Sequence, residues 1–228
     1  VCGRFAVDDG IDALVRAYVA EGGDWQDALT ALPNWNIRPT DTIAVLIEST
    51  REPGAPRRIL APARWGLVPP WSPTATTSVP TFNARLETLG DRPMWKAALA
   101  GRRCVVPATA YYEWRGERGA KTPHLIADAR GTRLTMAGLA QWWRPSPEAP
   151  WLLTATIVTR PAIGALAEIH DRMPLLLTPE LVPEWIAADR IGDQAFATSI
   201  AEAAATGPLP VARVIASVPP ETLGVAGP

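Results

Sequence analysis

Cys2 follows a single residue in Val1-Cys2-Gly3-Arg4-Phe5. If residue 1 is removed, Cys2 carries a free α-amine and a thiol on adjacent carbons, a pair that no internal cysteine has. A 1,2-aminothiol condenses with an aldehyde to an imine, and the thiol then closes on the imine carbon to give a five-membered thiazolidine. The same pair can act as an N-terminal nucleophile, with the amine as built-in base for the thiol. The plain alternative is a cysteine beside a frayed chain end.

Other polar residues fall where neither a core nor a surface would need them. Asn83-Ala84-Arg85-Leu86-Glu87 follows a Pro-rich loop, Tyr112-Glu113-Trp114 sets a carboxylate inside an aromatic strand, and His170-Asp171-Arg172-Met173-Pro174 interrupts a helical pattern before a buried strand. Trp65-Gly66-Leu67-Val68-Pro69-Pro70-Trp71 places tryptophans beside a loop. Each has an ordinary structural explanation. Glu113 can pair with an arginine at a sheet edge, His170 can sit at a helix C-terminus favoured by the macrodipole, and Asn83 with Arg85 can form a turn. The ten tryptophans are mostly core residues, and their number assigns them no role.

These residues need elements to hold them. An amphipathic helix is predicted over residues 8–21, capped by Asp8 or Asp9, with Ile11, Leu14, Val15 and Tyr18 on one face. Strands are predicted at Thr42–Glu48, Arg58–Leu67, Cys104–Val106, Ala110–Arg115, Pro123–Ala127, Arg133–Ala137, Leu152–Thr159 and Val211–Ile215, and helices at Pro93–Ala100, Pro161–Ile169, 179–188 and 193–205. Pro69–Pro80 is a loop. Strands scattered through the chain with helices at irregular intervals argue for an α+β fold with a curved, mainly antiparallel sheet or barrel-like core flanked by helices. With no repeat and no low-complexity linker, 1–228 is read as a single domain.

The composition narrows the function classes. The chain has 228 residues, of which 47% are apolar, and a formal net charge of −1, so bulk charge gives no argument for a polyanionic partner. Charge is uneven, however: residues 31–114 hold ten bases and six acids. Nearly all the bases are arginine, the better residue for fixed, bidentate phosphate contacts. A GC-rich genome accounts for the same bias. Two cysteines are too few for a disulfide framework, and two histidines with no Cys/His cluster argue against a zinc site. Cys104, in Cys104-Val105-Val106, is read as a buried strand residue. No apolar run reaches the ~18 residues of a membrane span. A cytoplasmic, reduced, monomeric protein without metal or cofactor is expected.

Taken together, these segments resemble the SRAP family, the SOS-response-associated peptidases or abasic site processing proteins. The matching stretches are Cys2-Gly3-Arg4-Phe5, Asn36-Ile37-Arg38-Pro39-Thr40, Arg64 to Trp71, Phe82 to Thr88, Arg103-Cys104-Val105-Val106-Pro107 with Tyr111-Tyr112-Glu113-Trp114, Ala137-Gly138-Leu139, Thr156-Ile157-Val158-Thr159, and His170 to Pro174. They occur in family order between residue 2 and about residue 177; the tail after about residue 205 carries no recognised motif.

The resemblance implies binding of single-stranded DNA and covalent capture of abasic sites, whose deoxyribose is in equilibrium with an open aldehyde. On that basis the Cys2 amine attacks the aldehyde and the Cys2 thiol closes the thiazolidine. His170 assists sugar ring opening, Glu113 acts as acid and base at the imine, and Asn83 orients the sugar; histidine suits its task because it titrates near neutral pH. Arg4 and Arg85 hold flanking phosphates. Asn36 is counted among the DNA-binding residues, and Trp65, Trp71 and Met94 are expected to form an apolar platform or wedge for bases. Where family members begin with methionine, this chain is written with Val1; the expectation is that residue 1 is removed and Cys2 becomes the mature N-terminus. A second departure is Ala108-Thr109-Ala110 before Tyr111, where the family pattern has an acid and a glycine. Two other functions stay open: a cysteine peptidase, including one that only removes its own residue 1, and a non-catalytic reader of single-stranded or modified DNA.

Overall fold

Strand β10, Leu152–Pro161, is the hub of the architecture. Its sequence, Leu-Leu-Thr-Ala-Thr-Ile-Val-Thr-Arg-Pro, is rich in β-branched residues, and it is buried on both faces from Leu153 to Val158. The computed structural model describes residues 2–8, 33–49, 56–117 and 119–219. Preceding β10 are β1 (Phe5–Val7), β2 (Asn34–Ile37), β3 (Thr42–Ser49), β4 (Arg57–Trp65), β5 (Asn83–Arg85), β6 (Arg103–Ala108), β7 (Ala110–Arg115), β8 (Thr122–Ala127) and β9 (Leu134–Trp143). After it come β11 (Arg172–Pro174) and β12 (Val211–Val214). The described helices are α1 (Pro93–Gly101), α2 (Leu181–Ile186) and α3 (Gln194–Ala204).

The strands form two sheets. One runs β12-β8-β7-β1-β2. In the other, β4, β3, β6 and β9 are successive neighbours, and β10 pairs with both β9 and β4, closing a five-stranded barrel. All its pairings are antiparallel except β10 with β4, and β10 also takes β5 in parallel on the edge it shares with β4. The predicted α+β class with a curved, mainly antiparallel, barrel-like core is therefore observed.

Strands with a sustained apolar run lie close to their predicted positions. The differences have local causes. The helix expected over Pro161–Ile169 is only a 3-10 segment, Gly164–Glu168, because Pro161 ends β10 and Gly164 takes a positive φ of 60°. β9 runs to Trp143, six residues past its predicted end. Helix 8–21 lies, apart from Asp8, outside the described residues. The tail, which carries no family motif, supplies the strand predicted at Val211–Ile215 as β12, which pairs with β8 from Val211↔Ala127 to Val214↔His124. Among the described residues no helix is long and apolar enough to cross a membrane.

Two packing details explain motif residues. Gly138 lies where β6, β9 and β10 converge, and a Cβ there would stand 2.8 Å from both Cys104 Sγ and Thr156 O. Arg103 is 3% exposed and donates to the carbonyls of Leu99, Ala100, Trp185, Ala187 and Arg190, at 2.5 to 3.0 Å. Its guanidinium thus caps the end of α1 and ties α2 to the barrel. Lysine has three donors and no fork, so Arg103→Lys leaves buried carbonyls unmatched. It is expected to cost about 3 kcal/mol, read as a lowered midpoint in urea at an unchanged m-value.

Candidate functional site

Cys2 is brought to the seam between the two sheets by strand pairing. β1 pairs with β7 in the register Phe5↔Tyr111 and Ala6↔Ala110, and Tyr112 N–H donates to Arg4 O at 2.9 Å. From the barrel side, Asn83 Nδ2 donates to Cys2 O at 2.7 Å. Phe5, Trp65 and Phe82 pack edge to face, with centroids 5.0 and 5.8 Å apart, and Trp65 Nε1 donates to Phe82 O at 2.8 Å. This aromatic series joins the segment after Cys2 to the segment before Asn83.

The Cys2 thiol is fully buried, with Sγ 3.8 Å from Arg4 O. Burial, followed by the negative charge of Glu113, pushes its pKa far above the ordinary thiol range. Burial likewise raises Tyr111, with Cys2 and Glu113 adding to the effect. Glu113 is 3% exposed. Directly opposite it across the β7–β8 ladder stands His124, also buried, with Nδ1 3.0 Å from Thr122 O. Residues opposite one another in an antiparallel pair project to the same face, so His124 is Glu113's neighbour, a proximity that no sequence spacing indicated.

Asn83 also lines an open groove, together with Trp71, Arg85, Arg92, Met94 and Trp95. Four of the residues proposed from sequence therefore share one surface, with Asn83 between the groove and Cys2. Trp71 is 62% exposed and presents an indole at the rim. Arg92 was missed by sequence reasoning; its only signal was a base immediately before the proline that opens α1. Asn83 Oδ1 and Thr156 Oγ1 are buried and make no hydrogen bond among the described residues. Buried acceptors of this kind are uncommon and costly, and Thr156 was legible only as part of a motif.

Two of the residues proposed from sequence as DNA contacts are buried. Trp65 was expected on a base-contacting platform, but it is fully buried, its ring faces taken by core packing. It supports the floor of the site. Asn36 was expected to contact DNA, yet it is 7% exposed and its Oδ1 accepts from Arg4 Nη1 at 3.0 Å. It positions Arg4, whose guanidinium carbon lies 6.0 Å from the Trp114 ring centroid.

His170 follows the 3-10 segment, two residues before β11. Its Nδ1 lies 3.0 Å from Arg172 N and 2.7 Å from Asp171 Oδ1. Arg172 fastens this turn to the Asn83–Thr88 segment. Its Nη1 and Nη2 donate to the two Glu87 oxygens at 2.6 and 3.0 Å, and Nη2 also donates to Thr159 O at 2.7 Å. Thr159 in turn pairs with Arg85. Burial raises the Glu87 carboxyl, but the Arg172 hydrogen bonds, a backbone bond and the Arg172 and Arg85 charges outweigh it and hold the pKa below its usual value. A lowered carboxyl pKa contributes stability above the unfolded value of about 4.3, lost as pH falls through the folded value. Glu87→Gln should therefore lower the melting temperature at pH 7, with the gap from wild type closing on acidification below about pH 4. Thermal melts across pH check this.

Comparison with known proteins agrees with the fold and the motifs. Residues 1–219 match the SOS response associated peptidase (SRAP) family. The abasic site processing protein YoqW of Bacillus subtilis is 32% identical over 191 residues, covering 82% of this chain and 80% of that protein. The abasic site processing protein HMCES of Xenopus tropicalis is 31% identical over 220 residues, covering 82% of this chain and 66% of its own length. Among solved structures, a protein from Bacteroides thetaiotaomicron superposes with a TM-score of 0.79 at 21% identity, covering 94% and 92% of the two chains. A phage-related protein from Bordetella bronchiseptica gives 0.70 at 29% identity, covering 95% of each. The chain belongs to the SOS response associated peptidase family.

Proposed function

We propose that this protein recognises abasic sites in single-stranded DNA and captures them covalently through Cys2, shielding the lesion during the DNA damage response. The observation that carries this is the position of Asn83, which lines the arginine- and tryptophan-bearing groove and also holds the Cys2 carbonyl. A strand in the groove would set its phosphates against Arg85 and Arg92 and its bases against Trp71 and Met94. The names of YoqW and HMCES support abasic sites as the substrate.

The chemistry follows from the Cys2 environment. The α-amine, free once residue 1 is gone, adds to the aldehyde carbon of the opened sugar. Loss of one water gives the imine. The thiol sulfur then adds to the imine carbon and its proton passes to the nitrogen, closing the ring with no oxidant or reductant. A thiol whose pKa is pushed up stays protonated, which favours the amine as first nucleophile and supplies the proton the nitrogen needs. The same effect disfavours a Cys2 thiolate attacking an external peptide, and so argues against a general peptidase. Glu113, close enough for its charge to act on the thiol, moves protons at the carbinolamine and imine. His170, held through Arg172 to the Asn83–Thr88 segment, assists opening of the closed sugar. Asn83 orients the sugar, and Arg4, held by Asn36, takes a flanking phosphate.

Mixing the protein with an abasic single-stranded oligonucleotide should give a shifted band that survives denaturation. Intact mass should show Cys2 as the first residue and an adduct one water lighter than the sum of protein and DNA. Cys2→Ala should lose the stable adduct and keep at most a borohydride-trappable imine. A stable adduct on a chain that retains residue 1, or undiminished in Cys2→Ala, would refute the thiazolidine.

Groove and chemistry should separate by mutation. Glu113→Gln keeps side-chain volume and should slow adduct formation by about 10²-fold or more with little change in affinity. Arg85→Ala should weaken binding and lower its log–log salt slope by about 0.7, one single-strand phosphate contact. Equal loss of affinity in both, with normal capture once bound, would remove the assigned roles.

A further inference from the structure

Outside this groove, Trp142, Trp143 and Trp151 gather with Arg102 and Arg144 around the hairpin joining β9 to β10, where they line a cleft. Trp142 is 37% exposed and Trp151 is 52% exposed. Two partly open indoles on one hairpin offer a surface for stacking. The Arg144 guanidinium carbon lies 4.3 Å from the Trp151 ring centroid. Stacked in this way, the cation covers one face of the indole and pre-orders the ring, so a base would stack on the other face.

Arg102 follows the last turn of α1 and faces the same cleft. Its Nε is buried and makes no hydrogen bond among the described residues, and no carboxylate lines the cleft among them. Burial also holds its pKa below the ordinary arginine value. A partly buried guanidinium with no hydrogen bond to a carboxylate among the described residues is suited to an anion supplied from outside the chain.

One segment of chain links the cleft and the Asn83 groove. Pro70 lines the cleft and Trp71 lines the groove. The segment is pinned along β10 by Gly66 N–H to Ala155 O at 2.8 Å and by Val68 N–H to Thr154 Oγ1 at 3.0 Å. It is then pinned to the hairpin by Trp143 Nε1 to Ser72 O at 2.9 Å. It returns to the site at Phe82, whose carbonyl accepts from Ile157 N at 3.0 Å.

We propose that the β9–β10 hairpin cleft is a second nucleotide subsite for single-stranded DNA running on from the Asn83 groove, with a base stacked on Trp151 and a phosphate on Arg102. The subsite rests on the groove being a single-stranded DNA site. Stacking on an indole accepts any base, and Arg102 reads only the backbone, so this subsite adds affinity and direction without sequence preference. It would also fix which flank of the lesion crosses the Pro69–Pro80 loop.

The test uses abasic oligonucleotides whose single-stranded flank is lengthened on one side or the other, with affinity measured by fluorescence polarisation. Wild-type protein should gain affinity as one flank grows and not the other. Trp151→Ala should reduce that gain by about tenfold, the effect of one lost stacked base, and Trp151→Phe should restore most of it. Arg102→Gln should lower the log–log salt slope for the long oligonucleotide by about 0.7 and leave the slope for the shortest one unchanged. Trp151 is exposed, so its variants should fold, and matching thermal melts would show it. A length-dependent gain identical in wild type, Trp151→Ala and Arg102→Gln would overturn the subsite while leaving capture in the groove intact. A wild type that neither binds nor captures even the shortest abasic oligonucleotide would instead overturn the groove, and the subsite with it.

Discussion

Strand β10 hydrogen-bonds along both edges, and the site depends on how those edges are shared. On one edge β9 pairs up to Ile157↔Gly138 and β11 takes over from Thr159↔Pro174. Leu175 fits where β9 and β10 part, donating to Val158 O and accepting from Ala137 N, both at 2.8 Å. On the other edge β4 pairs at Thr154 and Ala155, then β5 at Ile157 to Thr159. Buried backbone groups must find partners, so the three-residue strands β5 and β11 complete a ladder that longer strands leave unfinished. Their register is not free. Moving β5 by one residue would turn Asn83 to the opposite face of the sheet and break its bond to the Cys2 carbonyl.

The second condition is the seam. Cys2 precedes a strand of one sheet, Asn83 belongs to a strand of the other, and Phe5, Trp65 and Phe82 pack between them. Edge-to-face contact favours this geometry beyond the apolar area it buries. The thiol therefore lies in a dry environment set by the aromatic seam, with Glu113 contributed by β7 of the five-stranded sheet. Desolvation, more than any single charge, sets the protonation state of the thiol.

Arginine use divides along the same lines. Arg103 is consumed by five carbonyls and Arg172 by Glu87 and Thr159. Both act as rigid multi-donor fasteners, a task for which lysine lacks the geometry. Arg85 and Arg92 project into the groove and Arg102 into the hairpin cleft. A net charge of −1 hides this arrangement, because some of the bases hold the barrel together and others face its clefts.

The long elements and the inventory of reactive groups are legible in the order of the amino acids. β3, β4, β6, β7 and β10 carry apolar, β-branched or aromatic runs long enough to be read as strands, and α1 announces itself by Pro93. The order of the motifs from Cys2 to Pro174 was enough to identify the family. Which of these groups meet depends on packing and strand register. β1, β2, β5 and β11 have three or four residues each, too few to show a period, and form because a neighbouring strand offers an open edge. The same limit applies to Trp65 and Asn36, the two proposed contacts that are buried. A tryptophan beside a loop and an asparagine in a motif look alike whether they face solvent or core, and only packing distinguished Trp71 at the rim from Trp65 beneath it. Proximity of Glu113 to Cys2, of His124 to Glu113 and of Arg172 to Glu87 spans many residues of chain. Such pairs are joined by sheet register, which no local pattern encodes.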